Sequence, residues 1–293
     1  MNQIVSNYQL IEKIEISDNK PLGDSGAPKE IIFHVAPDNS KNIKVLDIGF
    51  GAGKLGQLIK ANSNTSHWEI DGVDGWKANC HNADLISKQY YRNIWHCLAQ
   101  DLSAEHLRSY DIICLLDVIE HLDARTARSL VAFLFENLGD QSALFISTPL
   151  WFYPQESVQT GDLEEHLIGI PASSMMAMQP KMYAINHPLI GGFVFGKESK
   201  IYADFFQPTE NKEFNYEMGL KILNSIHMQY KPGVLFKIEP QYKYIISLFL
   251  EGKYSKFGKG YADFFKETSQ GKINYLSQYK RSEERRVGKE CLR

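Results

Sequence analysis

The stretch "VLDIGFGAGKLG", residues 45–56, carries the strongest structural signal in the chain. Its apolar start predicts a buried strand, and glycines follow at positions 49, 51, 53 and 56. Glycine loses more conformational freedom on folding than any other residue, so this cluster indicates a backbone that turns tightly or approaches a ligand closely. The stretch therefore predicts a strand, a glycine-rich turn and a helix, with a binding site at the turn.

From residue 43 onward, short apolar runs alternate with helical patterns. The runs are unbroken, as expected for strands covered on both faces, and the alternation predicts a doubly wound, mostly parallel α/β sheet. The predicted strands are 43–48, 68–73, 94–98, 110–117 and 142–147. The predicted helices are 53–61, 76–89, 103–108, 124–137 and one near 171–178.

The flanking regions differ from this central domain, which we place at residues 43–196. Residues 1–42 are polar and turn-rich, and are predicted to form a lead-in that covers the site. Residues 197–280 form a Lys- and aromatic-rich appendage, in which "YADFFQPTENKEFNY" (202–216) matches "YADFFKETSQGKINY" (261–275) at eight of fifteen positions. Such a repeat indicates a small duplicated module. Residues 281–293 look like a translated sequencing adapter.

Charge and hydropathy restrict the class of protein. Residues 1–196 contain 14 basic and 23 acidic residues, so the central domain is a poor attractor for nucleic acid. The N-terminus does not resemble a signal peptide, and no apolar run approaches the roughly 18 residues of a membrane span. These features predict a cytoplasmic protein. The four cysteines lack metal-ligand spacing, and Cys97 and Cys114 are expected to be buried thiols.

The glycine pattern alone is compatible with two ligands. Gly51, Gly53 and Gly56 match the G-x-G-x-x-G pattern of dinucleotide sites. Asp47, followed by glycines at 49, 51 and 53, matches D-x-G-x-G-x-G, a pattern compatible with S-adenosylmethionine. The ends of the later strands discriminate better. They carry Asp74 in "IDGVDGW", Asp101 in "LAQDL" and Asp117 in "YDIICLLDVIEHLD".

In this order, the features resemble the class I S-adenosylmethionine-dependent methyltransferase family over about residues 43–196. The resemblance implies a Rossmann-like fold, methyltransferase activity and S-adenosylmethionine as cofactor. It also implies that Asp74 holds the ribose, that Asp101 and the Leu102 backbone contact adenine, and that Asp117 lies near the methionine amino end. The residues implied to line the methionine and ribose side are Asp47, Gly49, Gly51 and Gly53.

Three residues after the fourth and fifth strands are candidates for acid–base chemistry. Transfer of a methyl group from a sulfonium needs mainly in-line positioning, and a base is required only when the acceptor must lose a proton. His121 follows the fourth strand, while Glu164 and His166 match a Glu-x-His that many bacterial members of the family carry after the fifth strand. We predict catalytic roles for these three residues in methylating O or N of a small-molecule or glycan-type acceptor. Turnover should then rise above pH ~6.5, the reference histidine pKa.

Two alternatives remain open at this stage. Asp117, Glu120, His121 and His166 resemble the metal site of small-RNA 2′-O-methyltransferases, although that family has Glu where this chain has Asp117. Two histidines and two carboxylates can bind a divalent ion, but we expect a site without metal. The other alternative is a non-catalytic module that binds only the cofactor or a partner. Asp74 and Asp101, retained together with the glycines, argue against it.

Overall fold

The computed structural model describes most of the central domain and part of its flanks. The described residues are 9–13, 15, 19–23, 25–36, 41–186, 189–212, 221 and 234–237. The second copy of the repeat (261–275) and the terminal segment (281–293) lie outside them, so those two interpretations stay predictions.

Five parallel strands form the centre of the sheet, as the sequence predicts. They are β2 (Lys44–Ile48), β3 (Glu69–Asp74), β4 (Asn93–His96), β5 (Ile112–Leu116) and β6 (Ala143–Pro149). Their order in space is β4-β3-β2-β5-β6, so the chain winds outward from β2 in one direction and then from β5 in the other. The doubly wound α/β prediction is confirmed. Ligands in such sheets lie at the carboxyl ends of the strands beside this reversal.

Four further strands extend the sheet in antiparallel fashion. They are β1 (Gln9–Leu10), β7 (Met182–Asn186), β8 (Ile190–Gly196) and β9 (Phe236–Lys237). β8 pairs with β6 over seven residue positions, and β7 pairs with β8. The sequence analysis did not predict this hairpin. All seven residues of β8 are buried, so the strand shows no alternation of apolar and polar residues that would reveal it.

The helices and 3₁₀ turns cover both faces of the sheet. The α-helices are α1 (Lys54–Ala61), α2 (Lys77–Cys80), α3 (Ala83–Ser87), α4 (Ala104–Leu107), α5 (Ala124–Asn137) and α6 (Ala172–Ala177). The 3₁₀ turns are Lys29–His34, Ala99–Asp101, Ile119–His121 and Lys197–Phe205. The helix predicted over 76–89 is wrong as a single element. It divides because Asn82 caps α3 by accepting hydrogen bonds from the backbone of Asp84 and Leu85.

Two apolar clusters hold these layers to the sheet. Neighbouring residues of β2 point to opposite faces, with Val45 in one cluster and Leu46 in the other. β5 does the same with Ile112 and Ile113. Burial on both faces explains why the central strands are continuous apolar runs. It also fixes the strand ends rigidly, and the functional side chains start from there.

The flanks pack against the central domain where they are described. Phe206, in the first copy of the repeat, is fully buried in the larger cluster. Cys80, Cys97 and Cys114 are buried free thiols. Among the described helices, none has both the length and the apolar character that crossing a bilayer requires.

Candidate active site

A cavity of about 610 Å³ opens at the carboxyl ends of β2, β3, β5 and β6. It lies at the reversal of strand order, where a doubly wound sheet places its ligands. Its volume falls in the range of small-molecule sites. Of the eleven predicted site residues, eight line it: Asp47, Gly49, Gly51, Asp74, Asp117, His121, Glu164 and His166.

The glycine turn adopts a backbone that other residues rarely reach. Gly49, Gly51 and Gly53 have φ values of +70°, +54° and +74°. A Cβ atom at Gly51 would lie 3.0 Å from the carbonyl oxygen of Gly23, so the N-terminal lead-in packs directly on the turn. Gly53 does not line the cavity. It precedes α1, and its missing side chain leaves room for Leu85.

Asp74 organises the wall on the β3 side. Its carboxylate accepts hydrogen bonds from the backbone N–H of Gly51 at 2.9 Å, from that of Trp76 at 2.7 Å and from the Asn79 side chain at 3.1 Å. Burial raises the pKa of Asp74, although all three hydrogen bonds oppose the shift. The predicted ribose ligand is thus also the group that holds the glycine turn. The sequence analysis missed Asn79, because no pattern distinguishes it from other helical asparagines.

Asp47 lies at the base of the cavity and is almost completely buried. The Tyr91 hydroxyl donates a hydrogen bond to its carboxylate at 2.7 Å. Burial raises the pKa of Asp47 to about 6, while the Tyr91 hydrogen bond and the charge of Lys29 act in the opposite direction. Lys29 also lines the cavity, and its ammonium donates to the backbone oxygen and hydroxyl of Ser25. The lead-in therefore contributes a cation that the sequence analysis missed.

The predicted adenine contacts are displaced from the cavity. Asp101 ends the 3₁₀ turn after β4, and Leu102 packs in the larger apolar cluster. Neither residue lines the cavity, whereas Leu98, Ala99 and Gln100 do. The 3₁₀ turn winds the chain so that the residues just before Asp101 reach the site. Proximity in sequence could locate this wall, but it could not determine which residue faces inward.

Asp117 marks the end of β5 with a strained backbone. Its φ is +54°, a left-handed value that Asp tolerates better than most residues. The Ser147 hydroxyl donates to its carboxylate at 2.7 Å, and its own N–H donates to the Ser147 carbonyl at 2.9 Å. β5 and β6 thereby fix the turn that leads to His121.

His121 and His166 meet across the cavity wall, with ring centroids 4.7 Å apart. Nδ1 of His166 lies 2.6 Å from the Tyr153 carbonyl, and Nδ1 of His121 lies 3.1 Å from the Glu165 carbonyl. A carbonyl can only accept, so each Nδ1 carries the proton and each Nε2 has a lone pair. Burial and the neighbouring His166 lower the pKa of His121 to about 4, and burial lowers that of His166. Both rings are therefore neutral near pH 7.

Glu164 does not orient His166 as a carboxylate–imidazole pair would. The Tyr153 carbonyl takes that role, while the carboxylate of Glu164 accepts from the Gln155 side chain at 3.4 Å. Burial raises the pKa of Glu164. Glu164 still lines the cavity and remains a candidate to contact a ligand.

Glu120 is the most unusual carboxyl group of the site. It is 2% exposed and lines the cavity. The Thr148 hydroxyl donates to Oε2 at 3.0 Å, whereas Oε1 is buried without a hydrogen-bond partner within the described part of the chain. Burial and the charge of Asp117 raise the pKa of Glu120 well above its ordinary value. A buried polar atom without a protein partner is uncommon, and a water molecule, an ion or a ligand can satisfy it.

Comparison with known proteins agrees with this geometry. A family described as a methyltransferase domain matches residues 25–177, slightly more than half of the chain. The match starts inside the lead-in, where Ser25 and Lys29 reach the cavity. No curated protein matches the chain.

Several solved structures are similar to part of the chain at low identity. An O-methyltransferase family protein from Burkholderia thailandensis is 12% identical, with a TM-score of 0.40 over 57% of this chain and 55% of that one. A methyltransferase from Archaeoglobus fulgidus described as SAM-dependent is 23% identical, with a TM-score of 0.30 over 42% and 52%. The plantazolicin methyltransferase BpumL, solved with SAH, is 18% identical, with a TM-score of 0.35 over 42% and 45%. The chain thus spans about half the length of these structures.

The fold and site define a class I, Rossmann-like methyltransferase domain. By its family match, the chain belongs to the methyltransferase domain family, and its cofactor is S-adenosylmethionine. The resemblance stated from the sequence is confirmed.

Proposed function

We propose that this methyltransferase transfers a methyl group to an oxygen or nitrogen atom of a small-molecule or glycan-type acceptor. The observation that carries the proposal is the pair of neutral imidazoles, His121 and His166, on the cavity wall. A hydroxyl or ammonium acceptor must lose a proton before or during the transfer, and a neutral imidazole has an Nε2 lone pair that can receive it. A thioether acceptor has no proton to lose and would not need such a pair.

The charge of the cavity favours a neutral or cationic acceptor. Its lining contains six carboxyl groups: Asp47, Asp74, Asp117, Glu120, Asp123 and Glu164. Within the described part of the chain, two lysines, Lys29 and Lys54, line it. A polyanion such as RNA would meet repulsion here, since binding to nucleic acid depends mainly on cations that neutralise phosphates. This supports a small acceptor over the RNA alternative.

The two halves of the cavity suit the two reactants. Asp47, Asp74 and the glycine turn would hold the cofactor on the β2–β3 side. The acceptor would enter on the β5–β6 side, between the turn after Asp117 and the loop 150–166. In this arrangement His166 faces the acceptor and receives its proton, and the in-line approach to the methyl group supplies most of the acceleration.

The experiment is an acceptor screen with purified protein and S-adenosylmethionine. Production of S-adenosylhomocysteine is followed over panels of hydroxylated small molecules, oligosaccharides, amines and short RNAs, and mass spectrometry locates the added methyl group. We expect turnover with an oxygen or nitrogen acceptor from the first three panels. Turnover confined to RNA, or methylation at carbon or sulfur, would contradict the proposal. Cofactor binding without turnover in any panel would favour the non-catalytic alternative.

A further inference from the structure

The methionine end of S-adenosylmethionine brings a carboxylate into a cavity with a mostly acidic lining. Six carboxyl groups line this cavity, together with two lysines of the described part of the chain, Lys29 and Lys54. A carboxylate that leaves water needs N–H donors or a cation in place of its hydration shell. Backbone N–H groups of a glycine turn are common donors to anions, so the turn and the two lysines are the first groups to consider.

The glycine turn donates most of its backbone N–H groups within the protein. Among residues 49–53, four N–H groups have protein acceptors. The pairs are Gly49 to the Val73 carbonyl at 2.7 Å, Gly51 to the Asp74 carboxylate at 2.9 Å, Ala52 to the Gly23 carbonyl at 3.1 Å and Gly53 to the Phe50 carbonyl at 2.8 Å. These N–H groups cannot also surround an anion as those of a phosphate-binding loop do. A cationic side chain is therefore the better partner for the carboxylate.

The backbone of Lys29 is held firmly beside the cavity. Lys29 begins a 3₁₀ turn in which Ile31 and Ile32 are buried in the smaller apolar cluster. Pro28 packs on β8, since a Cβ atom added at Gly192 would lie 2.7 Å from its ring. The lead-in thus attaches Lys29 to the central domain on both sides of the residue.

The ammonium of Lys29 lies near the start of the glycine turn. It donates to the backbone oxygen of Ser25 at 2.9 Å and to the Ser25 hydroxyl at 2.8 Å, and Ser25 also lines the cavity. Burial raises the pKa of Asp47, whereas the nearby charge of Lys29 lowers it, so the two groups are close together. Asp47 precedes the turn by two residues. Lys54, in contrast, is exposed and lies beyond the turn at the start of α1.

We infer that Lys29 binds the carboxylate of S-adenosylmethionine and selects the carboxylated form of the cofactor. An ammonium forms charge-assisted hydrogen bonds with a carboxylate, which are roughly twice as strong as neutral ones. A fixed carboxylate restricts the methionine chain and thereby helps to orient the sulfonium. The lead-in would then bind the cofactor as well as cover it. This role concerns the cofactor and does not depend on which acceptor is methylated.

The test compares two nucleosides that differ only in the carboxylate. Calorimetry measures the Kd of S-adenosylmethionine and of decarboxylated S-adenosylmethionine for the wild type and for Lys29→Met. We expect the ratio of the two affinities to favour S-adenosylmethionine in the wild type and to fall at least tenfold in Lys29→Met, because the lost contact exists only with the carboxylate. Lys54→Met removes the exposed lysine of the lining and should change the ratio by less than about threefold.

Two results would overturn the assignment of Lys29. One is a ratio that Lys29→Met leaves unchanged, and the other is an equal or larger fall in Lys54→Met. Binding of the decarboxylated nucleoside by each variant shows that the cavity remains folded. If Lys29→Met binds neither nucleoside, Lys29→Gln replaces it with the same expected fall, because glutamine keeps an N–H donor for Ser25. No acceptor is present in these titrations, so a negative result would leave the proposed acid–base function untouched.

Discussion

The two sides of the cavity differ in the hydrogen bonds that their carboxyl groups accept. On the β2–β3 side, Asp74 accepts three hydrogen bonds and Asp47 accepts one from Tyr91. On the β5–β6 side, Glu120 leaves one buried oxygen without a partner. The first side is organised by the protein's own groups before any ligand binds. We propose that a ligand satisfies this oxygen on the second side, where the acceptor would bind.

The largest loss of turnover should come from a substitution on the β5–β6 side, where Glu120 has a buried oxygen without a partner among the described residues. His166→Ala removes the imidazole that we propose faces the acceptor, so we expect turnover on the identified acceptor to fall by about 10²–10⁴-fold. The Kd for S-adenosylmethionine should change by less than about threefold, because the hydrogen-bonded cofactor side remains intact. Steady-state kinetics and calorimetry on the same preparation measure both quantities. Equal losses of turnover and cofactor affinity would show that the two sides are not separable.

A substitution in the glycine turn should instead weaken cofactor binding on the β2–β3 side. In Gly49→Ala, the new Cβ would overlap the Val118 side chain and the residue would keep a left-handed φ of +70°. We expect at least a tenfold loss of S-adenosylmethionine affinity, since strain of about 1–2 kcal/mol adds to the steric conflict. Gly161→Ala is the matched control, with a φ of +78° but nothing within 4 Å of its Cβ. It should lower the thermal midpoint slightly and leave cofactor affinity unchanged. Equal effects of the two substitutions would assign the loss to backbone strain alone.

Substitution of Asp74 tests whether a carboxylate that already accepts three hydrogen bonds from the protein also binds the cofactor. Asp74→Asn should weaken S-adenosylmethionine binding by about 1–3 kcal/mol, through lost ribose contacts and a looser glycine turn. Asp71→Asn is the comparison at the start of the same strand, where the carboxylate is buried against Arg92 and Tyr110 and does not line the cavity. It should lower the free energy of unfolding and leave the Kd of the folded protein unchanged. Calorimetry and denaturant unfolding decide between these outcomes.

The smallest expected effect is the pH dependence of the free energy of unfolding. The pKa of His121 is about 4 in the folded protein and about 6.5 when unfolded. The unfolded state therefore binds more protons between these values, and the free energy of unfolding should rise with pH across this window. Asp47, with a raised pKa of about 6, contributes the opposite slope.

Comparison of wild type with His121→Asn isolates the contribution of His121 to this pH dependence, because both proteins keep Asp47. The variant should lose the His121 part of the slope between pH 4 and 6.5. An unchanged slope would show that His121 titrates normally. The lowered pKa values also move the expected rise in turnover below pH 6.5, so a midpoint at 6.5 or above would contradict neutral buried imidazoles as the active form.

Sequence alone determined the parts of this protein that depend on local physics. An unbroken apolar strand followed by glycines at 49, 51 and 53 predicts a tight turn, and alternating strands and helices predict a mostly parallel sheet covered by helices. The α/β fold follows from these regularities, whereas the methyltransferase activity and the cofactor came from the resemblance of the motifs around Asp47, Asp74 and Asp101 to a known family.

The tertiary structure alone decided which side chains face one another. The 3₁₀ turn that carries Asp101 directs Gln100 to the cavity, and the carbonyl of Tyr153, not Glu164, orients His166. Lys29 lines the cavity near the charge of Asp47, and Glu120 accepts a hydrogen bond from Thr148. In both cases the partner is distant in the sequence. Such contacts depend on packing between distant segments, and neither residue type nor spacing encodes them. That is why the glycine turn was predictable, whereas the residues after β4 that face the cavity and the unpartnered oxygen of Glu120 became visible only in the folded molecule.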